Sequence, residues 1–319
     1  MENEWKSKLH AQVTLGYREE ITLKDAIDQY CESRRDTPNH RGLLLHTKVV
    51  LRNIPGSKLL HDLTGSDLER LKNTRIKEGR SPQTIKHSLN LVSASLKRAR
   101  KMGYRVAEIQ MPGVKLSKHR LRYLSSDEEK RLLTELDPQR ESTGLQAFNA
   151  RNPLIKQQMQ DAYDLVVLLL DTGARYSEIA NIEWSRIDLN TLTINLWRPK
   201  VQNETIVFMT ERVAVILQRR FESKTGPHVF SNKRGRARGY APIAIRKAIK
   251  RAGLHDCCIH TLRHTNASRL VQNGLSVYEV REMLGHTDIK TTMRYAHLEQ
   301  RQVASRARDL LNVITSSDI

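Results

Sequence analysis

His260-Thr261-Leu262-Arg263-His264 is followed by Leu284-Gly285-His286, and nine residues beyond that histidine stands Tyr295. A guanidinium, imidazoles and a phenol are thus gathered into one short C-terminal stretch. Upstream, Thr172-Gly173-Ala174-Arg175-Tyr176-Ser177-Glu178 places a second arginine where a helix should begin. His260 and Arg263, three apart on a helix, face the same way. His264 lies one turn from His260, where packing or capping is its expected role. Glu178, three residues after Arg175, can orient a guanidinium or form a helix salt bridge. Thr287-Asp288 reads as the N-cap of a short helix reaching Tyr295.

These residue types suit one chemistry. Transfer at a phosphodiester builds negative charge on the equatorial oxygens, which two planar guanidinium forks match without losing their protons. A phenol with a pKa near 10 needs a proton acceptor and an electropositive site before it can attack. Taken singly, each residue has a plainer explanation: a surface arginine, a structural histidine, a core tyrosine. Their order within a basic chain is what carries the reading.

Charge and compartment agree. The 319 residues carry a formal charge of +19 with a pI near 10.0, unusual for an enzyme of small metabolites and suited to a polyanion. The longest apolar run, Leu165 to Leu170, is far shorter than the roughly 20 residues a bilayer demands. The start, Met1-Glu2-Asn3-Glu4-Trp5, has no secretory apolar segment, so a cytoplasmic, membrane-free protein is expected. Cys31, Cys257 and Cys258 lack C-x-x-C spacing, and reduced thiols are expected rather than a disulfide framework or a metal site. No P-loop and no acidic cluster suited to two Mg²⁺ ions is evident, so no cofactor is expected.

The first half reads as helices. Thr22 caps a segment from Leu23 through Ser33, Leu43 to Leu51 forms a second, and Ser66-Asp67-Leu68-Glu69 has the form of a capping box opening a third. Ser81-Pro82 precedes a long helix with Ile85, Leu89, Val92 and Leu96 on one face, ended by Gly103. Nine Lys or Arg against one acid between Lys97 and Arg122 mark a basic linker. Ser125 opens a further capped helix; residues 136–157 fit no pattern. Asp161 to Asp171 reads as a buried helix ended by Gly173, and Arg175 to Trp184 as another. Leu192–Leu196 and Thr205–Met209 alternate as a hairpin with Lys200 near its tip, and the chain is helical again from Ala241. Between Ser231 and Arg251 stand eight basic residues and no acid. Such runs are often solvated faces; their one-sidedness favours contact with a phosphate backbone. The residues assigned to it are Lys97, Arg98, Arg100, Lys101, Lys115, Lys118, Arg120, Arg122, Arg234, Arg236 and Arg238.

The H-x-L-R-H box, the L-G-H box and the tyrosine spacing resemble the tyrosine recombinases, which include phage integrases and the Xer and Cre recombinases. The likeness covers about residues 20–300, including the two-part plan and the lysine-tipped hairpin. It implies a mainly α fold with a small β-sheet: a short extension 1–19, a helical core-DNA-binding bundle 20–104, a basic linker 105–122, and a catalytic domain 123–319 with a tail from about 298. It implies Tyr295 as nucleophile and Arg175 and Arg263 on the non-bridging phosphate oxygens. His260 would move the nucleophile's proton, His286 would donate to the phosphate, and Glu178 would stand behind Arg175. Lys200 would be the general acid on the leaving 5′ oxygen, although the family's usual Gly-Lys-Gly is replaced here by Pro199-Lys200-Val201.

The implied function is site-specific recombination of double-stranded DNA without metal or ATP. Cleavage would give a 3′-phosphotyrosyl link, and exchange would pass through a four-way junction held by a homotetramer on paired sites. The resemblance leaves room for an accessory DNA-bending or directionality factor. It suggests that the tail, with Val303, Leu310, Leu311, Val313 and Ile314, docks on a neighbouring protomer; packing on its own domain is the alternative. Two rivals stand beside this reading: a type IB topoisomerase, which relaxes DNA as a monomer, and a non-catalytic DNA-binding regulator. Only about 20 residues precede the first helical pattern, too few for an independent arm-binding domain.

Overall fold

Thr22 is extended and its Oγ1 accepts the Asp25 N–H, which starts helix α1 (Leu23–Glu32) where the sequence places it. The computed structural model describes residues 20–116, 121–142, 144–198, 203–232 and 234–316. The chain is mainly helical with one small sheet, and it divides after residue 119 into two units.

In the first unit α1 is followed by α2 (His40–Asn53), α3 (Gly65–Lys77) and α4 (Pro82–Lys101). Helix α3 begins earlier than Ser66 and Glu69 suggest. Thr64 is the cap, and the reciprocal partner is Asp67, which accepts from the Thr64 N–H at 2.9 Å. Burial would push the Asp67 carboxyl up, but its bonds to Lys58 and Thr64 outweigh this and hold it at about 2. Ser81 and Pro82 start α4, whose Ile85, Leu89, Val92 and Leu96 meet Leu23, Ile27, Val50, Leu68 and Leu71 in one core.

The expected linker is only partly one. Val106, Ile109, Met111 and Val114 pack on this first core, and the Ala107 N–H donates to Leu60 O at 3.2 Å. Apolar residues interleaved among the basic ones keep this stretch with the bundle.

The second unit opens with α5 (Ser126–Leu136), capped reciprocally by Ser125 and Glu128. The unpatterned residues that follow fold around one buried side chain. Arg151 donates to the carbonyls of Gln146, Pro138 and Arg140 at 2.6–2.7 Å, replacing regular structure with three radial hydrogen bonds. Helix α6 (Pro153–Thr172) carries Leu165 to Leu170 entirely buried, so that run is a core helix. Among the described residues no helix is long and apolar enough to cross a membrane.

Helix α7 (Tyr176–Ala180) is shorter than the expected 175–184 segment; Trp184–Arg186 forms a separate 3-10 turn. Strands β1 (Ile187–Asp188), β2 (Thr193–Arg198) and β3 (Asn203–Phe208) follow in antiparallel order β1-β2-β3. Ile194 pairs with Val207, placing both in the core. The hairpin is as the alternation predicts, and its tip, with Lys200, lies outside the described residues. Helices α8 (Glu211–Glu222), α9 (Ile243–Arg251), α10 (Ile259–Gln272), α11 (Val277–Leu284) and α12 (Ile289–Thr292) lead through a 3-10 turn (Met293–Tyr295) into α13 (Ala296–Ser316).

Candidate active site

Helix α10 is the spine of the site. Ile259, Leu262, Ala267 and Val271 bury one side of it, and the H-x-L-R-H box occupies its first two turns. Arg263 is 2% exposed and is held as a fork. Nη1 donates to Gly173 O at 2.7 Å and Nη2 to Leu284 O at 2.8 Å, so one side chain ties the end of α6 to the end of α11. Its Nη2 also stands 2.9 Å from His286 Nε2.

The approach of α6 to α10 explains the glycine in Thr172-Gly173-Ala174-Arg175. Gly173 has φ +62°, and a Cβ there would stand 2.5 Å from Asn266 Oδ1 and 3.0 Å from Leu284 Cδ2. Asn266 Nδ2 donates to the carbonyls of Leu170 and Asp171, fastening the last turn of α6 to α10. Arg175 emerges two residues later as the N-cap residue of α7. Glu178 accepts from its backbone N–H at 2.9 Å and from Nη1 at 2.7 Å, so orienter and helix salt bridge are the same contact. The Arg175 side chain is 42% exposed, whereas Arg263 is buried; one arginine faces outward and the other is locked within.

His286 is set by the turn before it. Gly285 ends α11 in the left-handed region, and the chain folds back so that the His286 N–H donates to Arg281 O. His286 Nδ1 lies 2.8 Å from Thr292 Oγ1, a fully buried hydroxyl. Arg263 can only donate, so Nε2 accepts from it and Nδ1 carries the proton toward Thr292. Asp288 caps α12 as the sequence suggests, and α12 delivers Tyr295 through the 3-10 turn.

Tyr295 is 1% exposed and packs with Ala267, Val271, Val280 and Leu284. Its hydroxyl lies 2.6 Å from His264 Nδ1, not on the predicted His260. His260 is the next ring along, edge-on to His264 at 4.8 Å. His264 packs between His260 and Tyr295, and beyond the expected packing or capping it is the imidazole in direct contact with the phenol. The hint in the sequence is the doubled histidine around Leu262-Arg263, which puts two imidazoles one turn apart. Arg294, whose charge reaches both imidazoles and the phenol, had no such hint, because a basic residue beside a tyrosine has no pattern of its own.

The electrostatics follow from burial amid cations. Burial, then the charges of Arg263, Arg175 and Arg294, push His260 down. Burial, His260 and the same Arg294 and Arg263 push His264 down to about 4. Burial raises the Tyr295 phenol, opposed in part by Arg294 and Arg263. Both imidazoles are therefore neutral at pH 7 and the phenol keeps its proton.

Outside this cluster the predicted backbone contacts separate into two kinds. Lys97, Arg100, Lys101, Lys115, Arg234 and Arg236 are exposed and Arg98 is half-buried; Lys118 and Arg120 lie outside the described residues. Arg238 is not a free surface cation. It donates to Asp161 at 2.9 Å within a buried network where Arg220 bonds both Asp161 and Asp164. Arg122 is likewise engaged, with two bonds to the Glu128 carboxylate. Asp161, buried on α6, and Glu128, in the first turn of α5, engage these two guanidinia, which sets Arg238 and Arg122 apart from the exposed basic residues.

Residues 122–302 match the Phage integrase family. The integrase of Salmonella phage P22 is 32% identical over 178 residues, spanning 51% of this chain and 46% of that protein. The chain spans about half the length of the curated relatives it matches. Among solved structures, the Tn1549 transposon integrase in complex with a circular intermediate DNA has a TM-score of 0.70 at 18% identity, covering 86% of this chain and 95% of that one. A lambda integrase tetramer bound to a Holliday junction has a TM-score of 0.68 at 16% identity, covering 92% and 85%. These two structures share the fold.

Proposed function

The chain belongs to the phage integrase family, and from that premise we propose that it is a site-specific DNA recombinase. It cuts and rejoins double-stranded DNA through a 3′-phosphotyrosyl intermediate and a four-way junction, in the service of a phage or other mobile element. The observation that carries this reading is the convergence on α10: Arg263 beside His286 at 2.9 Å, and the Tyr295 hydroxyl on the residue next to Arg263.

In this reading Tyr295 attacks the scissile phosphorus while Arg175 and Arg263 stabilise the charge on the equatorial oxygens. Glu178 keeps Arg175 oriented. His260 lies in the same cationic field and moves the nucleophile's proton. His286 donates to the phosphate. Its Nε2 accepts from Arg263 at rest, so donation requires that nitrogen to gain a proton as the phosphate enters. Lys200 protonates the departing 5′ oxygen, whose basicity is comparable to water's at about 15.7. The phosphotyrosyl ester conserves the energy of the broken bond, so a 5′ hydroxyl from another strand reverses the step without ATP.

The partners follow from the same reading. Lys97, Arg98, Arg100, Lys101, Lys115, Lys118, Arg120, Arg234 and Arg236 contact the phosphate backbone. Four protomers assemble on two paired sites, with an accessory DNA-bending or directionality factor joining them. The exposed side chains of Leu310, Leu311, Val313 and Ile314, each at least 59% accessible along α13, support docking of the tail on a neighbour. The work is done in the cytoplasm, where the DNA is.

The test uses two supercoiled plasmids, each carrying a duplex captured covalently by the protein from a randomised library. A recombinase exchanges flanking sequence between the plasmids. Relaxation of a single plasmid without exchange would point instead to a type IB topoisomerase, and binding without either product to a regulator.

A further inference from the structure

The contact between His264 and Tyr295 is better built than simple burial of a phenol requires. The hydroxyl meets Nδ1 at 2.6 Å, the rings lie 5.9 Å apart at 54°, and on its other side the His264 ring rests edge-on against His260. His264 is thereby wedged between a second imidazole and the phenol. Besides its burial, the groups that act on it are His260 and Arg263 on its own helix and Arg294 on the turn that carries Tyr295.

Protonation states fix the direction of the bond. The phenol, raised by burial, keeps its hydrogen and donates it. His264, lowered to about 4, is neutral at pH 7, accepts at Nδ1 and therefore holds its own proton on Nε2. A phenol is free to rotate about its C–O bond and to swing with the 3-10 turn beneath it. A single acceptor on the rigid α10 spine removes that freedom and fixes the hydroxyl within the field of Arg263 and Arg294.

We propose that His264 is the positioning residue of the nucleophile: its Nδ1 holds the Tyr295 hydroxyl in the orientation from which it attacks. The proposal rests on Tyr295 being the nucleophile. It separates two jobs, since holding the hydroxyl needs an acceptor on His264 whereas taking its proton falls to a different base. An acceptor that only holds can be replaced by another acceptor of similar reach, and asparagine Oδ1 sits close to where histidine places Nδ1.

Three variants of the full chain test it: His264→Ala, His264→Asn and Tyr295→Phe. The first readout needs no DNA. The ¹⁵N resonance of His264 Nδ1 should shift in Tyr295→Phe toward the position of an imine nitrogen without a donor, and an unchanged resonance overturns the contact. The second readout is the rate of covalent adduct formation at saturating captured duplex, together with duplex affinity. His264→Ala should be slower by about ten- to a hundredfold with affinity within twofold, as expected when a reacting atom loses its alignment. His264→Asn should recover to within about threefold of the parent, because the hydrogen bond is restored without a base.

A parental rate in His264→Ala, or an Asn variant as slow as Ala, overturns the proposal. Should the Ala variant not fold, the Asn rate and the nitrogen resonance still decide. An adduct that persists in Tyr295→Phe refutes the nucleophile reading instead, and leaves the resonance to judge the contact alone.

Discussion

Arg263 Nη2 lies 2.9 Å from His286 Nε2 across 23 positions of sequence, and the same guanidinium reaches the carbonyls of Gly173 and Leu284. One side chain is therefore both a structural rivet and a proposed phosphate ligand, whereas Arg175, 42% exposed and held by Glu178, is free of the first duty. The two arginines should fail differently. Arg263→Lys, which cannot span both carbonyls, should destabilise the second unit by about 1–3 kcal/mol, the cost of unpaired buried groups. Arg175→Ala should cost less, about 0.5–1 kcal/mol, because its own side chain is exposed and Glu178, though 7% exposed, keeps its bond to the residue-175 backbone N–H. Its adduct formation should slow by about 10²–10³, comparable to losing one oxyanion donor. Equal loss of stability in both variants would contradict this division.

Gly173→Ala should be more damaging than its one added carbon suggests. The position has φ +62°, and the new Cβ would meet Asn266 Oδ1 and Leu284 Cδ2 at 2.5 and 3.0 Å. Strain and crowding together should cost about 1–3 kcal/mol, and the end of α6 should move away from α10. Because Arg175 follows two residues later, adduct formation should fall as well. Thermal unfolding and cleavage rate measured on the same preparation check both parts; a variant as stable as the parent would show that the close approach is not required.

The depressed His264 predicts a pH dependence of stability with a definite sign. A histidine at about 4 when folded and 6.5 when unfolded binds more protons in the unfolded chain between those values. Its stabilising contribution is therefore fully present above 6.5 and is lost as pH falls toward 4. Urea midpoints of the parent should drop over that window, and His264→Asn, which does not titrate, should drop less. Parallel curves would contradict the assignment.

Exposed and committed basic residues should also part company. Neutralising Arg234 or Arg236 should lower the salt dependence of DNA affinity by about 0.9 for each phosphate left without its cation, equally on specific and random duplex, with stability unchanged. Arg238→Ala should instead take one of the partners of Asp161 from the buried network, where Arg220 remains, destabilising the second unit by about 1–3 kcal/mol. Affinity titrations against salt, paired with urea unfolding, distinguish the two behaviours, and a normal stability for Arg238→Ala would return it to the surface.

Much of this was legible because it is local. Helix caps at Thr22, Ser81, Ser125 and Asp288 are decided within four residues, and the β2–β3 hairpin by alternation over a dozen. The site boxes were legible because their residue types are chemically rare together. What escaped was set by distance in sequence. Thr64, not Ser66, is the cap, and its partner Asp67 is also bonded by Lys58 from nine residues upstream. Between α5 and α6 the described residues gather around Arg151, whose partners are scattered carbonyls with no periodicity. His264 could not be assigned to the phenol until α12 brought Tyr295 back over α10, and Arg238 looked like a DNA contact until α6 supplied Asp161.

The central claim is that Tyr295 makes and breaks the DNA link. The direct measurement is to incubate the protein with nicked duplex from a randomised library, denature it in detergent, and map the attached nucleotide by mass spectrometry of the peptide. The account predicts a 3′-phosphotyrosyl bond on Tyr295 in the parent and loss of the adduct in Tyr295→Phe with duplex affinity kept, since only one buried hydroxyl is removed. An adduct of undiminished yield in Tyr295→Phe, or one mapped to any other residue in the parent, would contradict it.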